Sequence, residues 1–119
     1  MSSHPHSDAA VRDRLAHSLP HWRLERGMIR RTYRTHGWTR SMLVANAIGH
    51  LAEAAWHHPE LTVSFSAVEV SLTTHDAGGI TDKDFELAEK IEDLVLWQPR
   101  GGALEAAAGA GRPGYVRRD

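Results

Sequence analysis

LTVSFSAVEVSLTTHDAGGITDKDFELAEKIEDLV, residues 61–95, decides the fold. Its first half alternates. Val68, Val70, Leu72 and Thr74 fall on one face, while Glu69, Ser71, Thr73 and His75 fall on the other, the period of two that an extended chain imposes. Phe65 and Ser66 lie at a bend that divides this extended stretch into two strands. Asp76-Ala77-Gly78-Gly79 is a turn. Thr81 then has the character of an N-cap, with Asp84 three residues on, and opens a helix that carries Phe85, Ala88, Ile91 and Val95 inward.

Upstream, from Thr39, the rhythm changes to that of a helix. Val44, Ala47, Ile48, Leu51 and Ala55 keep the 3.6-residue spacing, and Pro59 stops the run. Gly49 weakens that helix by up to about 1 kcal/mol relative to alanine, which suggests close packing against another element. Before it stand two short extended runs, residues 22–25 and 29–34, with Gly27 at the turn and Ile29, Arg31 and Tyr33 on one side. Earlier still, Ser7 caps a helix through about Ser18, with Val11, Leu15 and Leu19 on one face, and Pro20 ends it.

Residues 1–7 are expected to form a flexible arm and residues 8–97 the folded domain. Residues 98–119, rich in glycine and alanine, form an extension that is either a tail or a strap on the body or on a neighbouring subunit. The elements add up to an α+β fold: a single domain with an antiparallel sheet of about four strands and about three helices packed on one face.

At 119 residues the chain holds one core. Composition is ordinary for a globular protein, 41% hydrophobic and 24% charged, with a net charge of −1. Charge is uneven along the chain: residues 1–40 carry eight arginines against three acids, and residues 41–99 carry two lysines against ten acids. That asymmetry is read as charge divided between faces or across a subunit contact, and no nucleic-acid partner is expected. There is no cysteine, so disulfides and thiolate metal sites are excluded. The amino terminus has no apolar signal run and no stretch is long enough to span a bilayer, so a cytoplasmic protein without a membrane partner is expected.

Chemistry concentrates between residues 53 and 84. Three histidines, His57, His58 and His75, stand there with two acids, Glu53 and Asp84. Imidazole is the side chain whose ordinary pKa lets it both give and take a proton near neutrality. Three of them without a nucleophilic serine elbow or a phosphate loop point to proton transfer on a small molecule. Glu53 and His57 are spaced i, i+4 near the end of a helix, and His75 ends a strand, so imidazoles approach one cleft from two elements. The bland readings are a surface acid for Glu53, a capping neighbour for Asp84 and a core ring for Phe65. The sharper rival is a metal held by His50, Glu53 and His57 with His58 or His75. The spacing lacks the His-Glu-x-x-His pattern that converges on zinc, and neither metal nor cofactor is expected.

The order Glu53-x3-His57-His58-Pro59-x5-Phe65-x9-His75-x8-Asp84 resembles the signature of the pterin-4a-carbinolamine dehydratases. The stretch Thr73-Thr74-His75-Asp76-Ala77-Gly78-Gly79-Ile80-Thr81 also resembles that family's loop into its last helix. A weaker likeness covers about residues 19–97. Two departures stand out: Trp56 precedes the histidine pair, and Leu61 replaces a tryptophan of the animal members.

The resemblance implies a hydro-lyase that dehydrates 4a-hydroxytetrahydropterin to quinonoid dihydropterin, in tetrahydropterin recycling. It implies His57, His58 and His75 as catalytic residues, with His58 and His75 the preferred acid–base pair and His57 orienting the substrate. Glu53, Pro59, Thr73, Thr74 and Asp84 would line the substrate or orient imidazoles, and Phe65 would shape the pocket. It implies a homodimer or homotetramer and an aromatic amino-acid hydroxylase as pathway partner. The alternative it carries is a non-catalytic binding, assembly or coactivator protein.

Overall fold

The structure is a computed structural model that describes residues 4–108 and 115–117. Helix α1, Asp8–Ser18, starts where Ser7 accepts a hydrogen bond at its hydroxyl from the Ala10 N–H, and it buries Val11 and Leu15. Strands β1, Arg23–Glu25, and β2, Met28–Arg34, form a hairpin through Arg26 and Gly27. Both turn residues have positive φ, 52° and 74°, the backbone of the tight turn whose twist matches paired strands. Helix α2, Trp38–Ala55, leads to β3, Glu60–Ser64, and β4, Ala67–Leu72. A 3-10 turn over His75–Ala77 and helix α3, Asp82–Val95, follow.

The four strands run in the order β1-β2-β4-β3, all antiparallel. Ile29, Tyr33, Val68, Val70 and Leu72 point from one face of the sheet into the core. There they meet Val11 and Leu15 of α1, Val44 and Ile48 of α2, and Phe85, Ala88, Ile91 and Val95 of α3. The opposite face is polar. Arg23 pairs with Glu69 at 3.0 Å, and Arg30 donates to Ser71 Oγ at 2.9 Å, which covers Ser71. The α+β expectation and the two-strand division at residues 65 and 66 match this architecture.

Three details differ from expectation. The inward face of α2 is Ser41, Val44, Ala45, Ile48 and Ala52, while Ala55 is exposed and Ala47 only half-buried. Gly49 does not mark close packing, because a methyl group there would meet nothing within 4 Å. A fourth helix, α4, Gly102–Ala108, lies in the carboxy-terminal extension. Farther on, Val116 bridges Thr35 and the Arg117 N–H donates to the Arg34 carbonyl at 2.7 Å, so residues 115–117 continue the pairing beyond the end of β2. Of the amino-terminal arm, residues 1–3 lie outside the described residues. The His6 N–H donates to the Ile80 carbonyl, and its ring meets Asp82 at 2.8 Å.

One buried polar cluster ties α3 to the sheet. Glu92 Oε1 accepts hydrogen bonds from Trp22 Nε1 at 2.9 Å, Arg31 Nε at 2.8 Å and the Tyr33 hydroxyl at 2.7 Å. Burial raises the pKa of the Tyr33 phenol above its usual value, and donation to the Glu92 carboxylate adds to the shift. The sign follows directly. Unfolded tyrosine loses its proton near pH ~10, while the folded phenol holds on to it, so this stabilisation is complete below that pH and is lost above it. Above pH ~10 the unfolding free energy should fall by up to about 1.4 kcal/mol per pH unit through this group. Chemical denaturation of wild type and Tyr33→Phe between pH 9 and 11 checks this, and the variant should lose that part of the slope.

Candidate active site

The end of α2 is bent rather than frayed. Trp56 adopts a left-handed backbone, φ 51° and ψ 47°, and its N–H and that of His57 both reach back to the Ala52 carbonyl. This αL ending reverses the chain and throws His57, His58 and Pro59 off the helix axis. Pro59 then leads into β3, whose Glu60 lies opposite Ser71 of β4. That register runs the beginning of β3 alongside the end of β4. His57 and His58, just before β3, and His75, just after β4, therefore stand at one end of the sheet, with Thr73 and Thr74 linking β4 to His75.

His57 is the anchored imidazole. Its Nε2 lies 2.6 Å from Asp84 Oδ1, and the Asp84 side chain is fully buried. Asp84 Oδ2 accepts from the Thr74 hydroxyl at 2.8 Å and from the Thr81 N–H at 2.9 Å. Thr74 uses its own proton on Asp84, so the hydrogen bond between the two threonine oxygens, 2.8 Å, must be donated by Thr81. Both carboxylate oxygens are thus satisfied by donors, the condition for keeping such a group out of water. Against an acceptor-only carboxylate, His57 must carry a proton on Nε2, and Nδ1 is the ring nitrogen that Asp84 does not engage. The side chain of His57 is 14% exposed, enough for one edge to reach solvent.

His58 is held differently. Its Nε2 lies 2.9 Å from Glu53 Oε1, both groups being exposed, and its ring meets Trp56 edge-on with centroids 4.8 Å apart. His75 is exposed at the first position of the 3-10 turn, next in sequence to Thr74. Pro59 and Thr73 are half-buried. Among the residues expected at the site, the structure joins His57 to Asp84 and Thr74, and separately joins His58 to Glu53.

Phe65 is not part of this site within one chain. Its ring lies over Gly37, 3.9 Å from where a methyl group would sit, at the start of α2. His57 follows the other end of that 18-residue helix, about 27 Å away at 1.5 Å per residue. Among the described residues no group of three or more His, Cys, Asp or Glu side chains is arranged to hold a metal ion. Likewise, no helix is long and apolar enough to cross a membrane. Thr81 was legible only as a helix cap. Its second task, donating to Thr74 and so locking the hydroxyl chain behind Asp84, has no local sequence signal.

The arrangement suits proton transfer: a fixed imidazole backed by a buried carboxylate, with two further imidazoles at the same end of the sheet. The family model described as pterin 4 alpha carbinolamine dehydratase matches residues 4–94. A protein of Aquifex aeolicus (strain VF5), provisionally named a pterin-4-alpha-carbinolamine dehydratase, is 49% identical over 78 residues, covering 66% of this chain and 79% of its own length. A Natronomonas pharaonis protein with the same provisional name is 45% identical over 90 residues, 75% of this chain and 98% of its own. Among solved structures, a Brucella melitensis protein described as a transcriptional coactivator/pterin dehydratase superposes with a TM-score of 0.69 over 76% of this chain and 97% of its own. At 22% identity that last likeness speaks for the fold alone. The sequence matches leave no ambiguity about kinship: the chain belongs to the pterin 4 alpha carbinolamine dehydratase family.

Proposed function

We propose that this protein removes water from 4a-hydroxytetrahydropterin, giving the quinonoid dihydropterin, by histidine acid–base catalysis in tetrahydropterin recycling. The reaction breaks one C–O bond. The departing hydroxyl takes a proton and leaves as water with the bonding pair, a ring nitrogen gives up its proton, and a C=N bond forms. Atoms and electrons balance without an oxidant or nucleophile.

The observation that carries this reading is the 2.6 Å contact from His57 to buried Asp84. Asp84 fixes the ring and its tautomer, so the Nδ1 lone pair of His57 is aimed and ready to take the proton from ring nitrogen. His75, exposed across the same sheet end, then serves as the acid for the hydroxyl, and His58 with Glu53 binds the polar edge of the pterin. The division of labour implied by the family likeness paired His58 with His75 as acid and base. Here His57 replaces His58 in that pair, because among the described histidines it is the one backed by a fully buried carboxylate. Positioned imidazoles supply roughly 10²–10⁴-fold for such transfers.

In a hydroxylase-coupled assay the wild type should accelerate quinonoid dihydropterin formation, and His75→Ala should lower that rate at least about tenfold. Turnover that survived simultaneous replacement of His57, His58 and His75 by alanine would end the proposal. Homodimer or homotetramer formation belongs to the same reading, since the outer edge of β3 pairs with no strand among the described residues. A monomer by light scattering at micromolar concentration would remove that part alone.

A further inference from the structure

Trp56 combines an exposed indole with a left-handed backbone, and folding does not explain the indole. Its side chain is among the most exposed of the large hydrophobics, at 75%. Its φ of 51° lies in the left-handed region, which bulky residues rarely enter and where glycine or asparagine sits at helix ends. The chain reversal at the end of α2 requires such a backbone at this position. It does not require an indole there. A strained, solvent-facing aromatic next in sequence to the anchored His57 is the kind of outlier from which a binding role can be argued.

The neighbours define that role. The Trp56 and His58 rings stand at 84° to each other, with centroids 4.8 Å apart, and form an open aromatic corner. Glu53 fixes the orientation of His58 through its Nε2. Trp56 is next in sequence to His57, whose outward nitrogen is the proposed base. A flat bicyclic heterocycle entering this corner meets one ring face-on and the other edge-on, the two favoured aromatic geometries. We infer that Trp56 is a substrate-contacting residue that stacks on the pterin ring and sets the preference for a fused, planar substrate.

This inference rests on the proposed dehydratase reading, and the test separates the two. Steady-state kinetics of wild type, Trp56→Gly and Trp56→Phe are compared with their thermal unfolding. Trp56→Gly should raise KM roughly three- to tenfold with little change in kcat, as loss of one aromatic contact implies. Trp56→Phe should keep most of the affinity. Trp56→Gly should also unfold at a higher temperature than wild type, because it relieves the left-handed strain, so weaker binding cannot be put down to a damaged fold. An unchanged KM in Trp56→Gly would overturn the inference while leaving the dehydratase reading intact. So would a fall in kcat at constant KM, which would mean that the indole acts on the proton-transfer step through the adjacent His57 and not on binding. Absence of pterin turnover in the wild type would overturn both.

Discussion

Asp84→Asn should cut kcat/KM for pterin dehydration by roughly 10²–10⁴-fold while leaving the protein folded. The carboxamide matches the carboxylate in shape, and its oxygen can still accept from the Thr81 N–H and the Thr74 hydroxyl, which now share Oδ2 at 2.9 and 2.8 Å. Its amide nitrogen then faces His57 and donates where the carboxylate accepted. His57 Nε2 must become the acceptor, and the ring proton moves to Nδ1, the nitrogen that should be receiving the substrate proton. The imidazole stays in place with the wrong tautomer. Asp84→Ala is a poorer probe, because it strips the acceptor from two buried donors as well as from His57, at roughly 1–3 kcal/mol for each buried group left unpaired. The informative comparison is therefore Asp84→Asn by coupled assay, with thermal unfolding alongside. A variant that unfolded like wild type and turned over within twofold of it would show that His57 is not the catalytic base.

The same residue shows how far sequence carries in this protein. Asp84 three positions after Thr81 is a local pattern, and the Thr81 N–H does donate to it. The hydrogen bond to His57 spans 27 positions, so nothing in either neighbourhood announces it. Likewise Ser7, Gly27, Pro59 and the alternation from Val68 to Leu72 marked element boundaries and the sheet's inner face, because caps, turns and pleats are short-range geometry. The face of α2 was misjudged for the complementary reason. Apolar spacing points to Leu51, which does pack against the core, and to Ala47 and Ala55, of which Ala55 is exposed; the buried face includes Ser41, a polar residue. Ser41 is buried because its hydroxyl meets Thr35 Oγ1 at 2.6 Å and donates to the Phe65 carbonyl. Those partners come from β2's end and the β3–β4 turn, and no periodicity count includes them. Phe65 itself was placed at the pocket from its spacing in the signature, whereas β3 carries it away from His58 by about 3.4 Å per residue. The histidines were legible as a set. Which one is anchored was not.

Glu92→Ala should be strongly destabilising although it lies away from the site. One oxygen of Glu92 serves three donors, the Trp22 indole, the Arg31 guanidinium and the Tyr33 hydroxyl. The Arg31 side chain is only 6% exposed, so removing this carboxylate takes a 2.8 Å ionic contact from a buried guanidinium and an acceptor from the Trp22 and Tyr33 donors, together roughly 3–5 kcal/mol. A domain of this size has on the order of 5–15 kcal/mol in total, and a loss of that size should lower Tm by roughly 10–25 °C. Glu92→Gln keeps an acceptor oxygen but not the charge, and should fall between. The double variant Arg31→Met with Glu92→Leu should recover part of the loss, because an apolar pair avoids the cost of desolvating two ions. Catalysis gives the control. Glu92 lies eight residues along α3 from Asp84, about 12 Å at 1.5 Å per residue, and its hydrogen bonds to Trp22, Arg31 and Tyr33 run to the sheet side. Glu92→Ala assayed well below its own Tm should therefore turn over pterin at close to the wild-type rate. If its activity instead fell in step with Asp84→Asn, the two clusters on α3 would be coupled, and the separation between what holds the sheet to the helix and what moves the proton would be wrong.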